Sequence, residues 1–282
     1  MEFCTDKESL RTLLATQRQE GKTIGLVPTM GNLHAGHMSL VNAAKSQCDF
    51  VISTIFVNPL QFGANEDLDT YPRTLDADLE LLKQHGCSAV FAPAVEEMFG
   101  NDTTQQTSIH VPVVSENFCG SSRPGHFDGV ATIVCKLFNL TSPDAAFFGL
   151  KDYQQFLVIR KLVKDLAIPI EIHGIETVRE ASGLAMSSRN NYLNEAEKDS
   201  AASIYASLRQ TAEAIRSGDK DFDRLADQAK ERMRSAGLKP DYFAICRADD
   251  LRLATSADTN LVVLAAAYIG SGRLIDNLRV VL

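Results

Sequence analysis

The sequence predicts an α/β protein: a parallel sheet with helices on both faces, followed by a smaller C-terminal α+β domain. Three observations lead there. Short apolar runs rich in β-branched residues alternate with helical patterns over residues 1–175, the signature of consecutive βαβ units. Beyond residue 176 the order changes to two helical patterns and then three β-rich runs. The chain has 282 residues, 45% hydrophobic and 23% charged with no low-complexity tract, enough for one large domain or a larger and a smaller one.

Taken in order, "TIGLVPT" reads as a strand, "GHMSLVNAAKSQC" as a helix and "FVISTIFVN" as a second strand. The alternation continues through a helix in "TLDADLELLKQHG", a strand in "SAVFAPA", a further short strand near "IHVPVV" and a long helix in "FDGVATIVCKLFNLT". Next, "DAAFFG", "YQQFLVIRKLVKDL" and "IPIEIHGI" read as strand, helix and strand, completing a Rossmann-like arrangement. A boundary near Glu176 sets off residues 176–282. There "EAEKDSAASIYASLRQTAEAIRSG" and "FDRLADQAKERMRSAG" are helical, and "DYFAICRADDL", "NLVVLAAAYIG" and "RLIDNLRVVL" are β-rich. Ligands bind beyond the carboxyl ends of strands in such sheets, and domain junctions favour clefts.

Charge and cysteine usage disfavour several classes of function. A net charge of −8 and a pI near 5.3 provide no basic field for nucleic acid. No stretch approaches bilayer-spanning length, and the N-terminal "MEFCTDKESLRTLLATQRQEGKTIG" carries alternating charges where a signal peptide has an apolar core. Six cysteines, Cys4, Cys48, Cys87, Cys119, Cys135 and Cys246, lack the paired spacing of a zinc site or redox dithiol and read as reduced thiols. The expectation is a cytoplasmic protein with no nucleic-acid or membrane partner.

The most informative stretch is "LVPTMGNLHAGHMSLV", residues 26–41. His34 and His37 stand there at the end of a predicted strand and the start of a predicted helix, where backbone N–H groups and the helix dipole favour an anion. Their spacing turns both rings to about the same side, and Gly36 allows close backbone approach, so two ring N–H donors can grip one phosphate. The alternative is a helix cap with incidental histidines. A metal site lacks an adjacent third ligand. Neither GxxxxGK[ST] nor GxGxxG is present, so the stretch is not a P-loop or a dinucleotide fingerprint.

Other candidates fall in comparable places. "FFGLKDYQQF" sets Lys151 and Asp152 just past a strand with Gln155 one helical turn on; Lys151 is either a phosphate ligand or an exposed helix-start lysine. "AMSSRN", residues 185–190, is either a phosphate loop with Arg189 as its cation or a solvated turn. "FVNPLQFG" offers Asn58 and Gln61, neutral amides suited to the hydroxyl and carboxylate of a small substrate, with Phe62 as an apolar wall or a core residue.

The His-x-Gly-His pattern resembles the signature of nucleotidyltransferases related to class I aminoacyl-tRNA synthetases. Within that superfamily, "PTMGNLHAGHMSLV", "FVNPLQFG", "DLDTYPRTLDADL", "RPGHFDGVATIVCKLFN", "FFGLKDYQQ" and "GLAMSSRNNYL" occur in the order of the pantoate:β-alanine ligases, the pantothenate synthetases. The resemblance covers the chain to about Leu193; the last third resembles the family in length and layout only. It implies a two-step reaction in one site. Pantoate attacks the α-phosphorus of ATP to give pantoyl adenylate and pyrophosphate, and the β-alanine amine then displaces AMP to give pantothenate.

The resemblance also assigns residues. Met30, Gly31, Asn32, Leu33, His34, Ala35, Gly36 and His37 bind ATP, with His37 catalytic and His34 assisting at the phosphates. Gly149, Leu150, Lys151 and Asp152 form a second ATP contact and the backbone of Val178 a third, while Met186, Ser187, Ser188 and Arg189 close over the phosphates. Lys151 and Arg189 count as catalytic cations. Gln61 and Gln155 match the pantoate-binding amides, Gln61 is also linked to β-alanine, and Asn58, three positions before it, is a further substrate-binding candidate. Mg²⁺ is expected with the nucleotide; the sequence reveals no protein ligand set for it, Asp78 being the one acidic candidate. A homodimer through the larger domain is expected.

Two positions depart from the family pattern. Leu150 stands where an acidic residue is common, a change expected to alter the charge around Lys151, and Ser182 stands where aspartate is frequent. Two other readings sit beside the ligase. Another nucleotidyltransferase of the superfamily would not couple AMP release to β-alanine. A catalytically silent nucleotide sensor is opposed by the retention of both histidines, Lys151, Arg189 and both glutamines.

Overall fold

The computed structural model describes residues 1–63, 66–270 and 272–282. The chain forms two compact units: Met1–Leu150 with Gln154–Glu176, and Thr177–Leu282 with Lys151–Tyr153.

In the first unit, β1 (Glu2–Cys4), β2 (Ile24–Thr29), β3 (Phe50–Ile55), β4 (Ala89–Phe91), β5 (Ala145–Gly149) and β6 (Glu171–Ile175) form a parallel sheet in the order β1-β4-β3-β2-β5-β6. The helices between them are α1 (Lys7–Gln19), α2 (Ala35–Lys45), α3 (Leu75–Gln84), α4 (Val95–Phe99), α5 (Cys119–Ser122), α6 (His126–Thr141) and α7 (Tyr153–Asp165). β2 and β3 are buried almost end to end, as strands are when helices cover both sheet faces. Met38, Val41 and Ala44 of α2 pack with Val27, Val51, Val90 and Phe147 of the sheet. β3 pairs along one side of β2 and β5 along the other, so the direction of strand addition reverses at β2. The loops after β2 and β5 therefore leave the sheet at its topological switch point, where such sheets bind ligands.

Two features of this unit differ from the sequence reading. β1 and α1 arise from the N-terminal segment, read only as charged: Asp6 caps α1 by accepting from the Glu8 and Ser9 N–H groups at 3.0 and 2.8 Å, and Leu10 and Leu14 are fully buried one turn apart. The strand expected near "IHVPVV" does not form. Pro112 has no N–H to give a ladder, Val113 takes a φ of 74°, and the Ile109 N–H donates to Thr132 Oγ1 at 3.0 Å instead.

The second unit is a three-stranded antiparallel sheet, β7 (Lys239–Arg247), β8 (Asn260–Ile269) and β9 (Gly272–Val281), in that order. Helices α8 (Glu195–Arg216) and α9 (Phe222–Ser235) cover one face through Ile204, Leu208, Ile215, Leu225 and Met233, spaced at the helical period. Asn194 and Glu197 form a reciprocal capping box that starts α8, each bond 2.9 Å. Among the described residues no helix is long and apolar enough to cross a membrane.

One close approach in the first unit bears on the site. After β3 the chain makes a single turn, Pro59–Gln61, against α6. A Cβ on Gly129 would lie 2.2 Å from the Leu60 carbonyl oxygen and 2.7 Å from Gln61 Cα, so only glycine lets helix and turn meet. Gly129→Ala is expected to destabilise the protein by about 1–3 kcal/mol through overpacking, measured as a lower denaturant midpoint. An unchanged midpoint would show that the turn retreats without cost.

Candidate active site

The first turn of α2 carries backbone N–H groups with no intrahelical acceptor, and the sequence puts no Ser, Thr, Asp or Asn at the cap position. Histidine takes that place. His34, extended at the N-cap, accepts the Gly36 N–H on Nδ1 at 3.1 Å, and His37 Nδ1 accepts the His34 N–H at 3.3 Å. The ring centroids are 4.2 Å apart. A backbone N–H only donates, so both Nδ1 atoms are unprotonated and the proton of each neutral ring sits on Nε2. Capping and donating are therefore compatible: the cap selects the tautomer whose Nε2 is a donor.

The loop that delivers His34 is built on buried hydrogen bonds. Thr29 Oγ1 donates to the Thr54 carbonyl at 2.6 Å and accepts the Gly31 N–H at 3.2 Å. The chain then turns through two left-handed residues, Gly31 at φ 83° and Asn32 at φ 50°. Asp78, on α3 and 3% exposed, accepts the Asn32 N–H at 2.9 Å, the Leu33 N–H at 2.7 Å and the Thr74 hydroxyl at 3.1 Å. Each oxygen of Asp78, the acidic residue considered for Mg²⁺, thus accepts one N–H of the loop.

Gln61 is buried beside this loop. Its Nε2 donates to Met30 Sδ at 2.7 Å, and its Oε1 accepts from Asn58 Nδ2 at 3.2 Å. Asn58, 1% exposed, also donates to the Gly129 carbonyl at 3.1 Å and accepts the Leu60 N–H at 3.3 Å. Its amide holds Gln61 and its turn. Two residues that the sequence reading left without a site role complete this support. His126 Nδ1 donates to the Gln61 carbonyl at 2.8 Å while its Nε2 accepts from Arg123 Nη1 at 3.0 Å. Arg123 in turn makes a two-point pair with Glu66 at 2.7 and 2.5 Å. Burial opposes ionisation of Glu66, but Arg123 outweighs it and holds the carboxyl below its ordinary range. No local spacing signals this support, because Arg123 and His126 lie 62 and 65 positions from Gln61. Phe62 is half-buried, edge-on to Tyr71 at 5.8 Å.

At the end of β5, Gly149 leads into Leu150, which is 6% exposed. A Cβ on Gly174 of β6 would lie 2.5 Å from Leu150 Cδ2, so the leucine occupies space that glycine leaves. An acidic residue, the side chain expected at position 150 from the sequence resemblance, would be buried here. On α7 the adjacent glutamines divide: Gln154 is buried, accepting from Cys119 N–H and donating to the Val114 and Asn117 carbonyls, whereas Gln155 is half-buried.

The second unit holds the remaining candidates. Lys151, with Nζ 3.5 Å from Asp152 Oδ1, is fastened there: Asn277 Nδ2 donates to its carbonyl at 2.8 Å, and the Tyr153 hydroxyl donates to the Ala248 carbonyl at 2.9 Å. Val178 and Met186 close a small hairpin, the Met186 N–H donating to the Val178 carbonyl at 3.0 Å beside an antiparallel bridge between Arg179 and Ala185. Arg179 anchors it with bonds of 2.6 and 3.0 Å to Asp276, its guanidinium 3.6 Å from the centroid of Tyr205. Ser187 caps the turn Ser188–Tyr192 by accepting the Arg189 N–H at 3.3 Å. Ser182 Oγ accepts the Leu184 N–H at 3.3 Å, so its hydroxyl supplies the turn acceptor that an aspartate would supply. Among the described residues no three His, Cys, Asp or Glu side chains gather as a metal cage requires.

Comparison with known proteins decides the family. The family model described as Pantoate-beta-alanine ligase matches residues 2–279. The chain belongs to the pantoate–β-alanine ligase family. The pantothenate synthetase of Pseudomonas aeruginosa is 58% identical over 271 residues, covering 96% of each chain. That of Azotobacter vinelandii is 56% identical over 271 residues, again 96% of each. The solved pantothenate synthetase of Thermus thermophilus shares 39% identity and a TM-score of 0.93 over 99% of both chains. The pantoate-β-alanine ligase of Francisella tularensis, solved with β-γ ATP and β-alanine, shares 34% identity and a TM-score of 0.82 over 99% of this chain and 97% of that one. These matches include the last third, where motifs gave out, so the second unit is part of the pantoate–β-alanine ligase fold.

The cap in this ligase lends itself to a stability test. Asparagine caps a helix as well as any residue and alanine caps poorly. In urea unfolding, His34→Asn is expected to stay within about 0.5 kcal/mol of the parent while His34→Ala loses about 1 kcal/mol. Equal losses would show that Nδ1 contributes nothing as a cap.

Proposed function

We propose that this chain joins pantoate to β-alanine at the expense of ATP through pantoyl adenylate, releasing first pyrophosphate and then AMP. The observation that carries the reading is the pair of capped imidazoles at the switch point of the sheet, in a chain that belongs to the ligase family. A carboxylate is already a nucleophile, so adenylation needs positioning and charge stabilisation more than a base. His37 and His34, through Nε2–H, donate to the phosphates as charge builds on them. The N-terminal end of α2 favours the same negative charge.

Lys151 and Arg189 are the cations that balance pyrophosphate as it leaves, with Gly149, Leu150, Asp152, the Val178 backbone and residues 186–188 completing the nucleotide contacts. Gln61 and Gln155 hold pantoate, and Asn58 acts through Gln61 rather than on the substrate itself. The adenylate is the reactive species in the second step. The β-alanine amine attacks its carbonyl carbon, AMP departs, and the protein's part is to orient the amine and exclude water. Magnesium is expected with the nucleotide, where it would neutralise phosphate charge. In this reading the chain works as a cytoplasmic homodimer, in keeping with six free cysteines.

Release of pyrophosphate and AMP from MgATP and pantoate, with and without β-alanine, tests the reading. One equivalent of pyrophosphate without β-alanine, followed by β-alanine-dependent AMP turnover, is expected. Neither release from folded protein would overturn it. In the same assay His37→Ala is expected to slow adenylation by roughly 100- to 1,000-fold with a much smaller change in ATP affinity. Undiminished adenylation would remove His37 from the reaction.

A further inference from the structure

Asp78 raises a separate question. A carboxylate that is 3% exposed is unusual away from a paired cation, yet the donors that the structure gives it are two backbone amides and one hydroxyl. The amides belong to consecutive residues, Asn32 and Leu33, and follow the left-handed pair Gly31 and Asn32. Successive amides in such a turn form a concave nest for an anion. Here the protein's own carboxylate fills the nest, with Oδ2 on the Asn32 N–H at 2.9 Å and Oδ1 on the Leu33 N–H at 2.7 Å. The fit is close on the third side as well, since a Cβ on Gly31 would lie 3.0 Å from Oδ2.

Two residues after Asn32 the chain reaches His34, whose backbone N–H and Nδ1 are both in the capping box. The conformation of residues 31–33 therefore sets where the box begins.

We propose that Asp78 is a positioning residue for adenylation: by filling the nest of Asn32 and Leu33 it fixes the turn that presents the Nε2–H groups of His34 and His37. This rests on the reading that those histidines serve the ATP phosphates. It assigns Asp78 to the loop rather than to magnesium. The two roles differ in their consequences. A metal ligand changes how much Mg²⁺ the enzyme needs; a loop anchor changes the rate at saturating Mg²⁺.

Asp78→Asn keeps the shape but turns an amide NH₂ toward one of the two N–H donors, which breaks one of the nest bonds. Thr74→Val is the milder variant. It removes only the hydroxyl bond to Oδ2, and Thr74 makes no capping bond to α3 with its side chain, so the helix start is not at stake.

The experiment measures pyrophosphate release from ATP and pantoate under turnover with saturating β-alanine, across a Mg²⁺ titration, for the parent, Asp78→Asn, Thr74→Val and His37→Ala. Asp78→Asn is expected to lower the rate at saturating substrates roughly ten- to hundred-fold, with pantoate KM and half-saturating Mg²⁺ within about twofold of the parent. Thr74→Val is expected to show the same split with a smaller, severalfold, loss. An upward shift of half-saturating Mg²⁺ by about tenfold or more, with the rate recovered at high Mg²⁺, would overturn the proposal in favour of a metal ligand. A parent-like rate for folded Asp78→Asn would also overturn it; if that variant does not fold, a parent-like rate for Thr74→Val does so. His37→Ala separates the layers. Parent-like activity there means that the histidine reading failed, whereas a slow His37→Ala beside a parent-like Asp78→Asn means that only the positioning role failed.

Discussion

The amide groups at the start of α2 need acceptors, and the rest of the site depends on how this chain supplies them. A serine or aspartate would satisfy the same N–H groups and leave nothing further. An imidazole satisfies them with one nitrogen and carries a second nitrogen on the opposite side of the ring. Because His34 and His37 cap through Nδ1, the helix end determines which nitrogen holds the proton. Two donors of fixed tautomer thus stand at the positive end of a helix, at the point where strand order reverses.

Around that constraint the first unit places buried polar groups that hold one another rather than facing solvent. Thr29 and Thr54 lock the end of β2, Asp78 holds the turn after it, Asn58 holds the Gln61 side chain, and His126 and Arg123 both donate to the Gln61 carbonyl. Such networks are costly if half satisfied and rigid if complete, which suits a reaction that depends on position. Gly129 and Gly174 contribute by absence, leaving room for the Gln61 turn and for Leu150. The second unit repeats the approach: the Arg179 and Asp276 pair anchors the hairpin before Arg189, and Asn277 holds the carbonyl of Lys151.

Much of the fold was legible because buried parallel strands are continuous apolar runs and the helices between them keep a strong period. "FVISTIFVN" and "NLVVLAAAYIG" became β3 and β8 with boundaries within a few residues. β1 was not legible: three residues with one parallel partner have no pattern to detect. "IHVPVV" had the composition of a strand, but Pro112 and the positive φ of Val113 set its course. Of the candidate site residues, the histidines, Lys151, Arg189 and the glutamines were visible as residue types at strand ends, one helical turn beyond or in the loop "AMSSRN". Their supports were not, because Asp78 reaches Leu33 across 45 positions and His126 reaches Gln61 across 65. Sequence left capping and phosphate binding as alternatives; only the hydrogen bonds show that Nδ1 of each ring serves the cap, which puts the proton of a neutral ring on Nε2.

The most direct measurement is the protonation of those ring nitrogens. Long-range ¹H–¹⁵N correlation spectra, recorded above the pH at which imidazoles titrate and assigned with single-histidine variants, report each nitrogen separately. The account predicts that His34 and His37 both carry the proton on Nε2 with Nδ1 bare. A proton on Nδ1 of either ring would contradict it, because that ring could not be accepting from the start of α2.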